Sequence, residues 1–197
     1  MSLTGATPGS KHLARRIVAV GYLGGTLLFA AALFSRAGRA QIPSGREVVS
    51  PSAYASLEPV ARASDWQLAL LLKIRSGFHI NSRTPSEDYL IPTDLQVEPP
   101  AGFKAGAVEY PKGQLRSFAF SKKPLNVYED TVILRVPLTT LANAPIGPQD
   151  IPLKLRYQAC SKEVCLPPVT LNVHAVVHVA ASANDSRPAH PELFPKE

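Results

Sequence analysis

Proline sets the tightest limit on what this chain can fold into. The 197 residues include 19 prolines, scattered along the chain rather than clustered. An internal proline removes a helical hydrogen bond and clashes with the preceding turn, so helices are interrupted repeatedly. The segments between the prolines alternate with a period of two. Trp66, Leu68, Leu70, Leu72 and Ile74 alternate with Gln67, Ala69, Leu71 and Lys73. Ile151, Leu153, Leu155 and Tyr157 alternate with Pro152, Lys154, Arg156 and Gln158, and Val169 to Val179 keeps one apolar face. Val127 to Leu138 reads as one long strand, and Phe78 to Asn81 as a short extended piece. Period two means a strand with one buried face. No segment after residue 40 keeps a helical period for three turns. The pattern predicts an all-β chain folded as an antiparallel β-sandwich.

The ends read differently. Lys11, Arg15 and Arg16 precede an uncharged, largely apolar run from Ile17 to Phe34, and Ala37-Gly-Arg-Ala40 follows it. This is the basic, apolar, small-residue order of an export signal. The run also reaches the lower limit for a membrane span. Residues 1–40 are therefore expected to be a signal peptide or an N-terminal membrane anchor, and the protein to be exported. Residues 41–64, with Pro43, Pro51 and Pro59, read as a linker holding at most a short strand near Glu47 to Val49. The folded part is expected over residues 65–179, and residues 180–197, small and polar, as a disordered tail.

Charge removes one class of function. The net formal charge is +6, from 21 Lys+Arg and 15 Asp+Glu, but all five charges before residue 41 are basic. The remainder is nearly neutral and carries no basic stripe, so nucleic-acid binding gets no support.

The only cysteines, Cys160 and Cys165, stand in Tyr157-Gln-Ala-Cys-Ser-Lys-Glu-Val-Cys-Leu-Pro-Pro168. In the chain-entropy view a loop this short stabilises by only about 2 kcal/mol when closed. The pair is a weak staple and a better candidate for a bond that opens and closes. It lies between two predicted strands, where the chain turns, and an exported chain meets oxidising conditions. A static clip on a hairpin is equally compatible with the spacing.

A metal site needs further ligands. His174 and His178 point the same way on a strand, but four residues separate them by roughly 13 Å, too far to share an ion. They are expected to face solvent, and no metal or other cofactor is expected. His79, alone beside a turn, is given a structural role. Glu87-Asp88 and Glu129-Asp130 point to opposite faces as strand neighbours and are expected as surface charges.

Tyr157-Gln-Ala-Cys160, the following Cys165 and Pro167-Pro168 resemble the active-site segment of the amino-terminal periplasmic domain of the thiol:disulfide interchange protein DsbD. Phe78-His-Ile-Asn81, Ile91-Pro-Thr93, Tyr110-Pro111 and Val127-Tyr-Glu-Asp130 recur in the family's order, so the resemblance spans roughly residues 65–179. It implies an immunoglobulin-like sandwich with a redox-active pair, a protein thiol–disulfide oxidoreductase needing an electron donor. It implies a thioredoxin-like donor, periplasmic disulfide-bearing partners and service in cytochrome c biogenesis. Carried over, Cys165 forms the mixed disulfide and Cys160 resolves it. A shielding aromatic is implied in Ser117-Phe-Ala-Phe-Ser121, Phe120 in preference to Phe118, with Tyr157 also counted among the shielding or docking residues. The gap between the cysteines is one residue shorter than in the family's best-known member. The chain also ends soon after the first domain, so the expected donor is a separate protein. Two other readings remain: a non-catalytic sandwich that binds a protein partner and carries a static disulfide, and a weaker one in metal or copper handling.

Overall fold

The structure is a computed structural model, and it describes residues 43–195. The expected leader or anchor over residues 1–40 lies outside the described residues. Fourteen strands follow in chain order: β1 (Val49–Ala55), β2 (Leu57–Glu58), β3 (Val60–Ala61), β4 (Ser64–Ile74), β5 (His79–Asn81), β6 (Asp94–Val97) and β7 (Phe103–Ala105). Then come β8 (Gln114–Arg116), β9 (Leu125–Tyr128), β10 (Thr131–Thr140), β11 (Gly147–Tyr157), β12 (Ala159–Cys160), β13 (Val169–Ala180) and β14 (Arg187–Pro188). Two single-turn 3-10 segments, Gly45–Glu47 and Ala183–Asp185, are the only helical pieces among the described residues. The all-β expectation holds.

Two four-stranded sheets make the sandwich, ordered β1-β4-β10-β7 and β3-β13-β11-β6. The pairings are antiparallel except for β3 against β13, which run parallel over two residues. The alternation in the sequence explains the layers. In β4 and β10 the pairs Leu68↔Val136, Leu70↔Leu134 and Leu72↔Val132 are in register, so their apolar side chains share the inner face. Ile151, Leu153, Leu155 and Tyr157 of β11 and Ala175, Val177 and Val179 of β13 supply the opposing face of one continuous core. Leu70 is wholly buried. Truncating such a residue to alanine costs about 2–5 kcal/mol.

A third small sheet, β12-β5-β9-β8, sits beside the sandwich and carries the cysteine hairpin. Its existence depends on a break that the sequence hides. The expected single strand Val127 to Leu138 is two strands in two sheets. Glu129 and Asp130 turn the chain between them, and Asp130 takes φ 57°, a left-handed conformation that Asp tolerates better than most residues. β9 then pairs with β5 and β8, while β10 pairs with β4 and β7.

The expected linker and the expected disordered tail both carry paired strands where described. The linker assignment for residues 41–64 fails because β1 pairs along its whole length with β4, Val49↔Ile74 through Ala55↔Leu68. Pro51 misled the reading: β1 is an edge strand, where a proline without N–H leaves no ladder bond unmade. The tail assignment for 180–197 fails in the same way. β14 pairs with β2, Leu193 is buried, and its carbonyl accepts a hydrogen bond from Arg135 Nε at 2.8 Å.

Candidate functional site

The site is a tight hairpin at the edge of the small sheet. β12 extends β5 with Ala159↔Ile80 and Cys160↔His79 in register. The chain then reverses within Ser161-Lys-Glu-Val164, and Cys165 bridges back to Cys160. The Ser161 N–H donates to Val164 O and the Leu166 N–H to Ala159 O, both at 2.8 Å, on either side of the cysteine pair. The cysteines therefore occupy the non-hydrogen-bonded position of the ladder, where facing residues approach most closely. They are joined as a disulfide, with Cα atoms 3.9 Å apart.

Serine makes the reversal possible. Ser161 Oγ accepts the N–H of Glu163 and of Val164, each at 3.1 Å, and donates to Val164 O at 3.3 Å. A hydroxyl at this position replaces the backbone partners that so short a loop cannot provide. Gln158 fixes the hairpin from behind. Its Nε2 donates to Leu166 O at 3.3 Å, and its Oε1 accepts from Ile91 N at 3.4 Å. Asn81 Nδ2 donates to Ile91 O at 2.9 Å, and Thr93 Oγ1 donates to Asn81 O at 2.6 Å. Sequence reasoning missed Ser161 and Gln158, although Ser161 directly after a cysteine at a predicted turn is a readable signal.

The two cysteines are not equivalent. Cys160 is 0% exposed, while Cys165 is partly exposed on a loop whose Lys162, Glu163 and Val164 all face solvent. Beside the loop lies a cleft of about 380 Å³ lined by Arg116, Ser117, Phe118, Ala119, Glu129 and Lys162. Arg116 Nε pairs with Glu129 Oε2 at 2.7 Å. Glu129 thus belongs to the cleft wall rather than to a plain strand face, because the turn at Asp130 redirects it.

His79 is buried against the hairpin, and burial pushes its imidazole down to about 4, with Glu129 opposing that shift. Its ring stacks on Phe118, with centroids 4.1 Å apart and planes 21° from parallel. Phe118 stacks in turn on Phe120 at 5.4 Å. The order of the stack is therefore His79, Phe118, Phe120. Phe118 also packs on Leu90, Leu125 and Val127, whereas Phe120 is exposed. The aromatic next to the residue opposite Cys160 is Phe118, not the preferred Phe120.

Tyr157 does not take the shielding or docking place expected of it. It is the last inward residue of β11 and wholly buried. Its hydroxyl donates to Gly45 O at 2.7 Å, and burial pushes its phenol up to about 12. A Cβ on Gly45 would lie 3.0 Å from Val169 Cγ1 and 3.2 Å from Pro167 O, so glycine permits the close approach just beyond the hairpin. His174 and His178 are exposed on the outer face of β13, and His174 Nδ1 lies 2.7 Å from Asp150 Oδ2. Among the described residues no group of three His, Cys, Asp or Glu side chains could hold a metal ion.

An all-β sandwich with a small accessory sheet, bearing a disulfide in a partly exposed two-strand hairpin, defines the class: a disulfide-carrying immunoglobulin-like domain. The chain belongs to the family described as "Thiol:disulfide interchange protein DsbD, N-terminal", whose model matches residues 40–176. That match includes all of residues 41–64, the segment expected as a linker. Among solved structures, the chain is similar to the reduced DsbD N-terminal domain of Neisseria meningitidis, with 20% identity and a TM-score of 0.43, over 70% of this chain and 90% of that one. It is also similar to the N-terminal periplasmic domain of ScsB from Proteus mirabilis, with 14% identity and a TM-score of 0.46, over 72% of this chain and 50% of that one. No curated protein matches.

Proposed function

We propose that this domain exchanges disulfides with exported partner proteins, with Cys165 as the sulfur that partners reach and Cys160 as the resolving sulfur. The unequal burial of the two residues carries this reading: Cys160 is sealed and Cys165 is partly exposed. An attacking thiolate must approach one sulfur of the disulfide in line, and access decides which sulfur is attacked. Family membership supports exchange chemistry as the general activity.

In the reducing direction the Cys165 thiolate attacks a partner disulfide and expels one partner thiolate, forming a mixed disulfide. The Cys160 thiolate then attacks Cys165 Sγ, the second partner thiolate leaves, and the Cys160–Cys165 bond is restored. The domain loses two electrons and the partner gains them. A thioredoxin-like donor returns the pair to the dithiol by the same steps in reverse. The proposed location is the periplasm, reached through the leader or held there by the anchor read over residues 1–40. The Phe118–Phe120 stack is proposed as the cover that a docking partner displaces.

Cys160→Ser is expected to trap a mixed disulfide through Cys165 with a thioredoxin-like protein, and Cys165→Ser to trap none. Equal trapping by both variants contradicts the assigned roles. Failure of both variants to trap, with partner binding intact when both cysteines are serine, favours the static clip.

A further inference from the structure

We propose that the imidazole of His79 donates a hydrogen bond through Nε2 to the sulfur of Cys160 when the disulfide opens, and so holds that sulfur as a thiolate. The inference rests on the exchange reading above and adds a residue to it.

Three observations meet at this point. First, His79 and Cys160 are direct antiparallel partners, so their side chains leave the small sheet on the same face, with Cβ atoms about 5 Å apart by ordinary strand geometry. Second, His79 is 98% buried, taken from its 2% exposure, and its Nε2 is buried with no hydrogen-bond partner. A buried polar atom left unpaired is costly and calls for an explanation. Third, the ring is held in place by its stack on Phe118, so its edge cannot swing to solvent to find a partner.

While the disulfide is closed, Cys160 Sγ is committed to Cys165 and makes no hydrogen bond with Nε2. When a partner thiolate attacks Cys165 Sγ, one S–S bond forms and the Cys160–Cys165 bond breaks. The electron pair of the broken bond stays on Cys160 Sγ. That sulfur is buried, where an anion without a donor is strongly disfavoured. The unpaired nitrogen belongs to the residue directly opposite Cys160 in the ladder, which places a buried donor on the same face to receive it. In the reverse direction the same bond keeps Cys160 deprotonated for attack on the mixed disulfide.

The charges facing this place are the Glu129 carboxylate from the β9–β10 turn, its partner Arg116 from β8, and Lys162 from the hairpin loop. Burial keeps the imidazole neutral, with Glu129 opposing that shift. The donor is therefore a neutral ring, unlike the imidazolium of a cysteine–histidine ion pair.

The test uses the oxidised protein opened by glutathione to the Cys165 mixed disulfide, in which Cys160 is the only free thiol. The pH profile of its resolution reports the Cys160 titration. In His79→Phe, which keeps a ring to stack on Phe118, the midpoint is expected to rise by about one unit or more, the scale of a lost hydrogen bond to a charged group. His79→Gln, which keeps an N–H donor, is expected to recover part of the shift. An unchanged midpoint in folded His79→Phe overturns the inference. A second measurement needs no variant: 15N spectra of the His79 ring before and after reduction by dithiothreitol. A shift at a protonated Nε2 on opening supports the bond, and an unaltered ring overturns it. Failure of glutathione to open the pair instead contradicts the exchange reading, while the ring spectra still decide the hydrogen bond.

Discussion

The hydroxyl of Tyr157 donates to the carbonyl of Gly45, 2.7 Å away and 112 residues earlier in the chain. This contact ties the segment just before β1 to the last residue of β11, three positions before the buried cysteine. It gives Tyr157 a structural duty. Tyr157→Phe removes the shorter of the two hydrogen bonds that the Gly45 carbonyl accepts, leaving the one from Val48 N–H at 3.3 Å, and a cost of about 0.5–1.5 kcal/mol is expected in urea denaturation. The reduction potential of the pair is expected to stay at its original value.

Ser161 makes a different prediction, confined to the hairpin. Ser161→Ala removes the acceptor for two backbone N–H groups and the donor to Val164 O. Amide exchange at Glu163 and Val164 is expected to accelerate. Global stability is expected to fall by only about 0.5–1.5 kcal/mol, because the loop is exposed and water replaces the lost bonds.

The stack of His79, Phe118 and Phe120 ranks two further substitutions. Phe118→Ala removes the ring that lies on His79 and opens the cleft wall next to the pair. The rate at which a small thiol reduces Cys160–Cys165 is expected to rise several-fold. Phe120→Ala, at the exposed end of the stack, is expected to change that rate less. Reduction rates measured with dithiothreitol compare the two directly.

His79 also ties stability to pH. Burial lowers its folded value to about 4, against an ordinary value of 6.5. Between those values the unfolded chain binds a proton that the folded protein refuses. Stability from this group is complete above about pH 6.5 and is lost as pH falls toward about 4, by on the order of 2–3 kcal/mol. Urea midpoints at pH 7 and pH 5 measure the loss, and His79→Phe is expected to reduce it.

Particular residues show what could be read from the sequence. The inward faces of β4, β11 and β13 were legible because each is a long strand with one wet face, and period two survives there. The turn between β9 and β10 was not legible. Asp130 is polar in an otherwise strand-like run, and only a left-handed φ reveals that the chain changes sheet there. β1 was hidden by Pro51, since a proline in an edge strand and a proline in a linker look alike. The cysteine hairpin was legible from spacing and its flanking strands. The role of its surroundings was not. That His79 stands opposite Cys160 depends on the register between β12 and β5, segments about 80 residues apart, and no local pattern encodes that register. The order in which Phe118 and Phe120 stack on His79 was hidden for the same reason, because it is set by tertiary packing.

The account stands on the Cys160–Cys165 bond being one that opens and closes. A redox titration of the pair in the folded protein, against glutathione or thioredoxin, tests this most directly. It is expected to give a reversible two-electron couple above about −300 mV, within reach of thioredoxin-like proteins. A potential below about −300 mV, where inert structural disulfides lie, would contradict the account and leave the hairpin disulfide as a clip.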